Sequence, residues 1–183
     1  MIRCLTVPGT AGGKVEVNRP KRSGGVVRAT RDVRPATVSV VNRQRLTRLD
    51  VRALRQAAEL ALRAERLEGR DVTLMFVTDR QIARLNERHL GHAGPTDVLA
   101  FGSGDAAPPV LSRWLGDVVV SVEAARRQAP RWRRTVPEEL AEYVIHGILH
   151  LAGYDDAVAV KRRQMHRRQA ALFRQWRNGD PQG

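Results

Sequence analysis

Residues 135–153 read TVPEELAEYVIHGILHLAG, and they contain the clearest helix signal in the chain. Thr135 and Glu138 have the spacing of a capping box, with a proline in the first turn, so a helix is predicted to begin there. Gly153 predicts its end, because glycine readily adopts the left-handed conformation that closes a helix. The residues between these signals are mostly apolar, but they include two histidines.

Outside this helix, predicted strands and helices alternate along the chain. The β-branched stretch 37–41 predicts a first strand, and the apolar run 72–77 predicts a second. Between them, Asp50 is a suitable N-cap and Gly69 a suitable end for a helix over 51–67.

The remaining elements complete the order βαβαββααα. Thr78 and Gln81 form another capping box, and Gly91 ends the helix that follows. The other predicted elements are strands over 97–101 and 117–122 with a connection over 102–116, a short helix ended by Pro130, and a basic last helix over 157–177. This order predicts the α+β class, as a single αβα domain with a mixed four-stranded sheet and about five helices.

The composition indicates a folded protein with a polyanionic partner. The 183 residues carry a formal net charge of +13, with 42% hydrophobic and 4% aromatic residues. This apolar fraction is sufficient for a core, which excludes an entirely disordered chain. Only three residues are lysines, so arginine supplies 29 of the 32 basic residues. Codon bias explains part of that preference, but the excess of positive charge favours RNA, DNA or an anionic membrane surface as a partner.

The two ends of the chain differ from its middle. Residues 1–36 carry eight basic and two acidic residues without regular periodicity, so we predict a disordered basic extension, a folded domain over 37–177 and a disordered tail over 178–183. The N-terminus has no secretory signal, no stretch is apolar enough for a membrane span, and the single cysteine, Cys4, has no disulfide partner in the chain. These features predict a cytoplasmic protein.

The two histidines of the apolar helix, His146 and His150, predict a metal site in the C-terminal half of the chain. Their spacing of four residues places both rings on one helix face, about 6 Å apart along the axis. Gly153 lets the chain turn back, so that a carboxylate of Asp155 or Asp156 can supply a third ligand. Two histidines and one carboxylate leave a fourth zinc position open for water.

The two histidines also have interpretations other than a metal site. Histidines at this spacing are often incidental, with each ring satisfied by an ordinary hydrogen bond, but the turn and the carboxylates that follow favour the metal site here. Zinc proteases of the His-Glu-x-x-His type carry a general-base glutamate where this chain has Gly147. The glycine therefore argues against peptidase activity. Outside this segment, His89, His92 and His166 are expected to be polar surface or cleft residues.

The segment 146–156, HGILHLAGYDD, resembles the YbeY family of metal-dependent bacterial endoribonucleases. The family hallmark is His-Gly-x-Leu-His-Leu-x-Gly-Tyr-Asp-His, which this chain matches at ten of eleven positions. The stretches Leu85–Asn86, 95–101 (PTDVLAF) and 115–121 (LGDVVVS) are similar to further family blocks. The resemblance covers about residues 37–175, in the same order as in the family.

The resemblance implies a ligand set and a function. Register with the family selects Asp156 as the third ligand beside His146 and His150, in place of the family's histidine, and it implies one zinc ion or another divalent metal. It also implies a single-strand-directed endoribonuclease in ribosomal RNA maturation and ribosome quality control, with the small ribosomal subunit as a partner. Many members have Tyr-Arg where this chain has His89 and Leu90, and no general base is identified beyond the metal-bound water.

Basic residues flank the proposed metal helix on both sides. The run before it supplies candidate RNA-binding residues: Arg126, Arg127, Arg131, Arg133 and Arg134. The basic last helix follows it, and together the two runs fit a groove that tracks phosphates. Trp132 is a candidate for base stacking, with packing in the core or a loop as the alternative.

Two other functions are compatible with the sequence. A non-catalytic RNA- or ribosome-binding maturation factor with a structural metal would account for the changes at Asp156 and Leu90. Asp97 and Asp117, at the starts of two predicted strands, are interpreted as structural caps, with orientation of a metal-binding histidine as the alternative. Metal-dependent hydrolysis of a small molecule or peptide rests on ligand spacing alone, and Gly147 and the positive charge disfavour it.

Overall fold

The strands have apolar side chains directed to both faces of one sheet, which therefore needs helices on each side. The computed structural model describes residues 37–102 and 113–179. Its strands are β1 (Val38–Asn42), β2 (Asp71–Val77), β3 (Val98–Gly102) and β4 (Trp114–Ser121), in the spatial order β1-β2-β4-β3. The strands β1, β2 and β4 are parallel, and β3 pairs antiparallel with β4.

Five α-helices surround this sheet. They are α1 (Val51–Ala64), α2 (Asp79–Leu90), α3 (Val122–Gln128), α4 (Val136–Leu151) and α5 (Ala159–Arg177), with a single 3-10 turn over Ala129–Trp132 between α3 and α4. The predicted α+β class, with a mixed four-stranded sheet and five helices, is confirmed. Both predicted capping boxes are present, at the starts of α2 and α4.

Alternating side chains divide the core into two parts. Along β4, Val118 and Val120 face the large apolar cluster under α1, α4 and α5, whereas Val119 faces the smaller cluster under α2. The period of two in a strand produces this division. The layers are therefore α2, the sheet, and the group α1, α4 and α5, with α4 in contact with α1, α5 and the sheet.

Two glycines allow the closest approaches of backbone in the core. A Cβ atom built at Gly147 of α4 would lie 2.4 Å from Cγ1 of Val118, so the helix backbone packs directly against β4. At Gly116 a Cβ would lie 2.3 Å from the carbonyl oxygen of Phe101, and its φ of +152° is rarely adopted by other residues. The close contact at Gly147 sets the distance between α4 and the sheet. The close contact at Gly116 allows β3 to pair with β4.

Some element boundaries differ from the sequence-based predictions. The helix α1 ends at Ala64, earlier than the predicted residue 67, because Arg66 adopts a left-handed conformation with φ of +57° and reverses the chain before Gly69. The strand β4 begins at Trp114, within the predicted connection over 102–116, because backbone pairing with β2 and β3 includes Gly116.

Some predictions concern parts of the chain that lie outside the described residues. These are the extension over 1–36, most of the connection over 102–116 and the last four residues of the tail over 178–183. Within the described ranges, no helix combines the length and the apolar character that crossing a membrane requires.

The contact between Gly147 and Val118 gives a direct test of the packing. We expect Gly147→Ala to lower the free energy of unfolding by about 1–3 kcal/mol, because the added methyl group forces apart a close-packed helix and strand. Chemical denaturation of metal-free protein measures the change. Gly102→Ala is the control, since its Cβ would meet only Leu151 Cδ2 at 3.8 Å; equal stability of the two variants would contradict the packing argument.

Candidate metal centre

The helix α4 carries both predicted histidines into the interior. The Thr135 side chain accepts a hydrogen bond from the backbone N–H of Glu138, whose carboxylate accepts one from the Thr135 N–H at 2.7 Å. This capping begins a helix in which every residue from Glu139 to His150 is buried. His146 is 0% exposed and His150 is 4% exposed. Both rings therefore need partners within the protein.

The rings of the two histidines converge on one point. Nε2 of His150 lies 3.1 Å from Nε2 of His146 and 3.9 Å from Oδ2 of Asp156. The candidate ligand atoms of all three residues lie within 4.8 Å of one another. Tetrahedral zinc with bonds of about 2.0–2.1 Å holds its ligand atoms about 3.3 Å apart, so the donor set fits such an ion.

The turn after α4 places Asp156 at this point. Gly153 adopts φ of +94°, and the N–H of Tyr154 donates to the Leu149 carbonyl at 3.0 Å, so the chain folds back over the end of the helix. The Tyr154 hydroxyl donates to Glu65 at 3.2 Å, and Arg168 contacts the same carboxylate at 2.6 Å. The turn is thereby joined to α1 and α5.

Asp155 lies in a different environment from Asp156. Its carboxylate accepts from the backbone N–H of Ala157 at 2.9 Å and pairs with Lys161 at 3.2 Å. These contacts lower the pKa of Asp155 below its usual value. The structure therefore brings together His146, His150 and Asp156, while Asp155 caps the following turn.

Burial sets the protonation state of the two rings. Desolvation, together with the nearby His150, lowers the pKa of His146 from 6.5 to about 3. Desolvation also lowers the pKa of His150, although the neighbouring Asp156 carboxylate partly opposes this effect. Both imidazoles are accordingly neutral near pH 7, the form that binds a metal.

Two polar residues that the sequence did not identify stand behind His146. Nδ1 of His146 lies 2.8 Å from Oε1 of Gln169 on α5, and Nε2 of Gln169 donates to Oε1 of Glu142 at 2.8 Å. Asp97 and Asp117 have no hydrogen bond to either histidine among the described residues. The sequence feature that could have identified these partners is Glu142, a charged residue four positions before His146 in an otherwise apolar stretch.

The candidate RNA-binding arginines fall into two groups. Arg127 pairs with Asp79, and Arg134 pairs with Glu139 and Glu142 and lies over the Phe173 ring at 4.6 Å. The other three are exposed, without ion pairs within the described ranges: Arg126, Arg131 and Arg133. Trp132 is 59% exposed, so it is not a core residue.

This arginine run lies at the opposite end of α4 from the ligand cluster. His146 follows the N-cap Thr135 by eleven residues, which corresponds to about 16 Å along the helix axis. The basic start of α5 is nearer, because Lys161, Arg162 and Arg163 follow Asp156 within seven residues. Among the described residues no arginine of the run contacts the three ligands directly, but Arg134 pairs with Glu142, which lies one helical turn before His146.

The remaining sequence candidates lie on surfaces or in other contacts. His89 is exposed, with its ring 5.2 Å from that of Phe101, and His92 and His166 are exposed as well. Leu90, where the family resemblance implied an arginine, packs against the apolar cluster under α2. Within the described residues, the only group of three or more potential ligands is the one that contains His146, His150 and Asp156.

Fold and site together define an α+β protein with a candidate metal centre of two histidines and one carboxylate. The family model of endoribonuclease YbeY matches residues 38–177. The chain belongs to the endoribonuclease YbeY family, which confirms the family resemblance and the prediction of an endoribonuclease.

Individual relatives agree with this membership. The chain is 34% identical over 119 residues to endoribonuclease YbeY of Syntrophus aciditrophicus, covering 64% of this chain and 74% of the relative. It is 39% identical over 124 residues to that of Pelotomaculum thermopropionicum, covering 66% and 82%, and 40% identical over 123 residues to that of Anaeromyxobacter sp., covering 67% and 63%. The solution structure of TM1509 from Thermotoga maritima shares the fold, with a TM-score of 0.51 at 23% identity, over 79% of this chain and 95% of that one.

The depressed histidine pKa values predict acid sensitivity in metal-free protein. Because the folded pKa of His146 lies below its ordinary value of 6.5, the unfolded chain binds more protons as pH falls from about 6.5 towards 3. Stability should therefore decline over this window, by about 1.4 kcal/mol per pH unit for His146.

Denaturation between pH 4.5 and 7 measures this slope. We expect His146→Gln to make it shallower, and His92→Gln, which changes an exposed ring that does not contribute to the lowered pKa of His146, to leave it unchanged. An unchanged slope in His146→Gln would contradict the assignment of acid sensitivity to this ring.

Proposed function

We propose that this chain is a metal-dependent endoribonuclease that cleaves single-stranded RNA, with one zinc or similar divalent ion held by His146, His150 and Asp156. The main support is the 3.1 Å separation of the two Nε2 atoms, both buried and both on neutral rings. Two imidazole nitrogens at this distance need either a shared proton or a shared metal ion. The Asp156 carboxylate beside them favours the metal.

The chain's own residues have defined parts in this mechanism. When bound, a divalent ion polarises a phosphoryl oxygen and lowers the pKa of a water molecule. His146 and His150 would each provide a ring nitrogen to the ion, and Asp156 would provide a negative charge where the family hallmark has a neutral histidine. Three protein ligands leave a position open to RNA or water. No other histidine or carboxylate of the described residues joins the cluster, so no general base is assigned.

We propose that exposed arginines guide the RNA to this centre. Arg126, Arg131 and Arg133 have no acidic partner among the described residues, so their charges remain available to phosphates. Arg127 and Arg134 are candidates for the same role, and each also forms an ion pair with a carboxylate of the protein. The run ends beside Thr135, about 16 Å from His146 along the axis of α4, so a strand that contacts that end and the metal centre would extend over several nucleotides. We propose that Trp132, whose ring is exposed, stacks on a base of such a strand.

We further propose that the physiological substrate is ribosomal RNA, in maturation and quality control of the ribosome in the cytoplasm. The family resemblance supports this role, with the small ribosomal subunit as partner. The net charge of +13 also favours a polyanionic substrate.

A second candidate is a non-catalytic RNA- or ribosome-binding factor with a structural metal. Leu90 favours it, because an apolar residue that packs under α2 replaces the arginine of many family members. Stoichiometric metal without cleavage of any RNA would support this candidate over the nuclease.

The ligand assignment is tested by metal content and RNA cleavage in the same variants. We expect His146→Ala and Asp156→Ala to lose most of their bound metal, and His146→Ala to reduce cleavage of single-stranded ribosomal RNA by more than about 100-fold, since each removes a ligand. Elemental analysis and a gel-based cleavage assay give the two readouts.

Asp155→Ala is the matched control, because its carboxylate pairs with Lys161 instead of the histidines. Full cleavage by His146→Ala would refute the metal mechanism. Normal metal content in Asp156→Ala would refute that residue as a ligand.

The arginine proposal is tested by the salt dependence of RNA binding. We expect the double variant Arg126→Gln, Arg131→Gln to bind single-stranded RNA more weakly, with a slope of log K against log salt that is shallower by about 1.4, or about 0.7 per lost phosphate contact. The pair Arg45→Gln, Arg48→Gln changes the same charge on another exposed loop. An equal effect of both pairs would indicate general electrostatics and would contradict a local binding surface.

A further inference from the structure

We propose that Gln169 and Glu142 are positioning residues for the metal centre, which hold His146 with its proton on Nδ1 so that Nε2 presents its lone pair to the ion. The inference rests on the metal centre proposed above. It assigns roles to two buried polar residues on neighbouring helices, one on α5 and one on α4.

Glu142 is held as a carboxylate by an ion pair with an arginine. Arg134 forms ion pairs with both Glu139 and Glu142, and its guanidinium lies over the Phe173 ring at 4.6 Å. The arginine is therefore held by contacts with both α4 and α5. A carboxylate that is paired in this way offers only acceptor atoms to its other neighbours.

The Gln169 amide has one orientation that suits both of its neighbours, Glu142 and His146. Because the Glu142 carboxylate accepts hydrogen bonds, the amide NH₂ of Gln169 must face it, and the distance from Nε2 to Oε1 of Glu142 is 2.8 Å. The amide oxygen then faces the other way, 2.8 Å from Nδ1 of His146. The reverse orientation would set two acceptor oxygens against each other.

The Gln169 amide oxygen determines which ring nitrogen of His146 carries the proton. An amide oxygen accepts but does not donate, so the neutral ring must carry its proton on Nδ1. The other ring nitrogen, Nε2, then has a free lone pair, and it is the atom directed at His150 and Asp156. Without this contact the proton could reside on Nε2, where it would block metal binding.

The helix spacing makes these contacts a property of the packing between α4 and α5. Glu142 and His146 are four residues apart on α4, and Gln169 and Phe173 are four residues apart on α5, so each pair shares one helix face. An apolar residue at 169 would leave the buried Nδ1–H of His146 without a partner. Partners of this kind typically change metal affinity by 10–100-fold when they are lost.

The experiment combines a spectrum of metal-free protein with a zinc titration. The ¹⁵N pattern of histidine side chains distinguishes the two tautomers, and we expect His146 of the full-length wild-type chain to carry its proton on Nδ1. In titrations with Zn²⁺ against a competing chelator, we expect Gln169→Leu to bind about 10–100-fold more weakly than wild type. Thermal unfolding without metal confirms that each variant is folded.

Two further variants separate positioning from general effects on folding. Gln164→Leu makes the same substitution at an exposed site of α5, and wild-type affinity is expected. The exchange variant Glu142→Gln, Gln169→Glu keeps an acceptor beside Nδ1 and a donor behind it, so we expect an affinity within about 3-fold of wild type. This exchange tests the inference even where Gln169→Leu does not fold.

The outcomes are distinguishable from failure of the metal centre itself. A wild-type chain that binds no Zn²⁺ would refute the metal centre, whereas the ¹⁵N spectrum still decides the tautomer. A proton on Nε2 of His146 in the metal-free wild type would overturn the positioning role. So would a folded Gln169→Leu variant with wild-type affinity, or a folded exchange variant that loses affinity more than about 10-fold.

Discussion

The burial of α4 is the constraint on which the other features of this protein depend. The helix is enclosed by α1, α5 and the sheet, and its backbone at Gly147 lies directly against Val118. It nevertheless carries ionisable or polar side chains at Glu139, Glu142, His146 and His150. A buried polar group without a partner costs about 1–3 kcal/mol, so the neighbouring elements must supply a partner for each of these groups.

The partners come from parts of the chain that are distant in sequence. Arg134 pairs with the two glutamates, Gln169 joins Glu142 to His146, and the turn after α4 brings Asp156 to His150. Tyr154, in the same turn, donates a hydrogen bond to Glu65. The candidate metal centre therefore lies where three helices and one turn meet, which is how a protein holds ligands in a fixed geometry.

The positive charge of the chain has two separate structural roles. Some arginines complete ion pairs inside or at the edge of the fold, as Arg134 and Arg168 do. Others, such as Arg126 and Arg131, face solvent without a carboxylate partner in the described part of the chain. In the net charge each ion-paired arginine is cancelled by its carboxylate, so the unpaired arginines of the second group contribute to the positive field that attracts a polyanion.

The sequence by itself determined the elements and the chemical type of the site. Both capping boxes, the strand alternation and the pair His146 and His150 depend on residues close together in the chain, so local pattern was sufficient to predict them. Even there, local pattern placed the end of α1 too late, because Arg66 reverses the chain without a glycine.

Tertiary structure alone decided which carboxylate lies beside His150, the partial burial of Leu90 and the contacts of Gln169. Gln169 lies 23 residues after His146 on a helix that reads as strongly basic and exposed, and only the packing of α5 against α4 turns it inward. Such contacts depend on the relative placement of two helices, which the period of either helix does not encode.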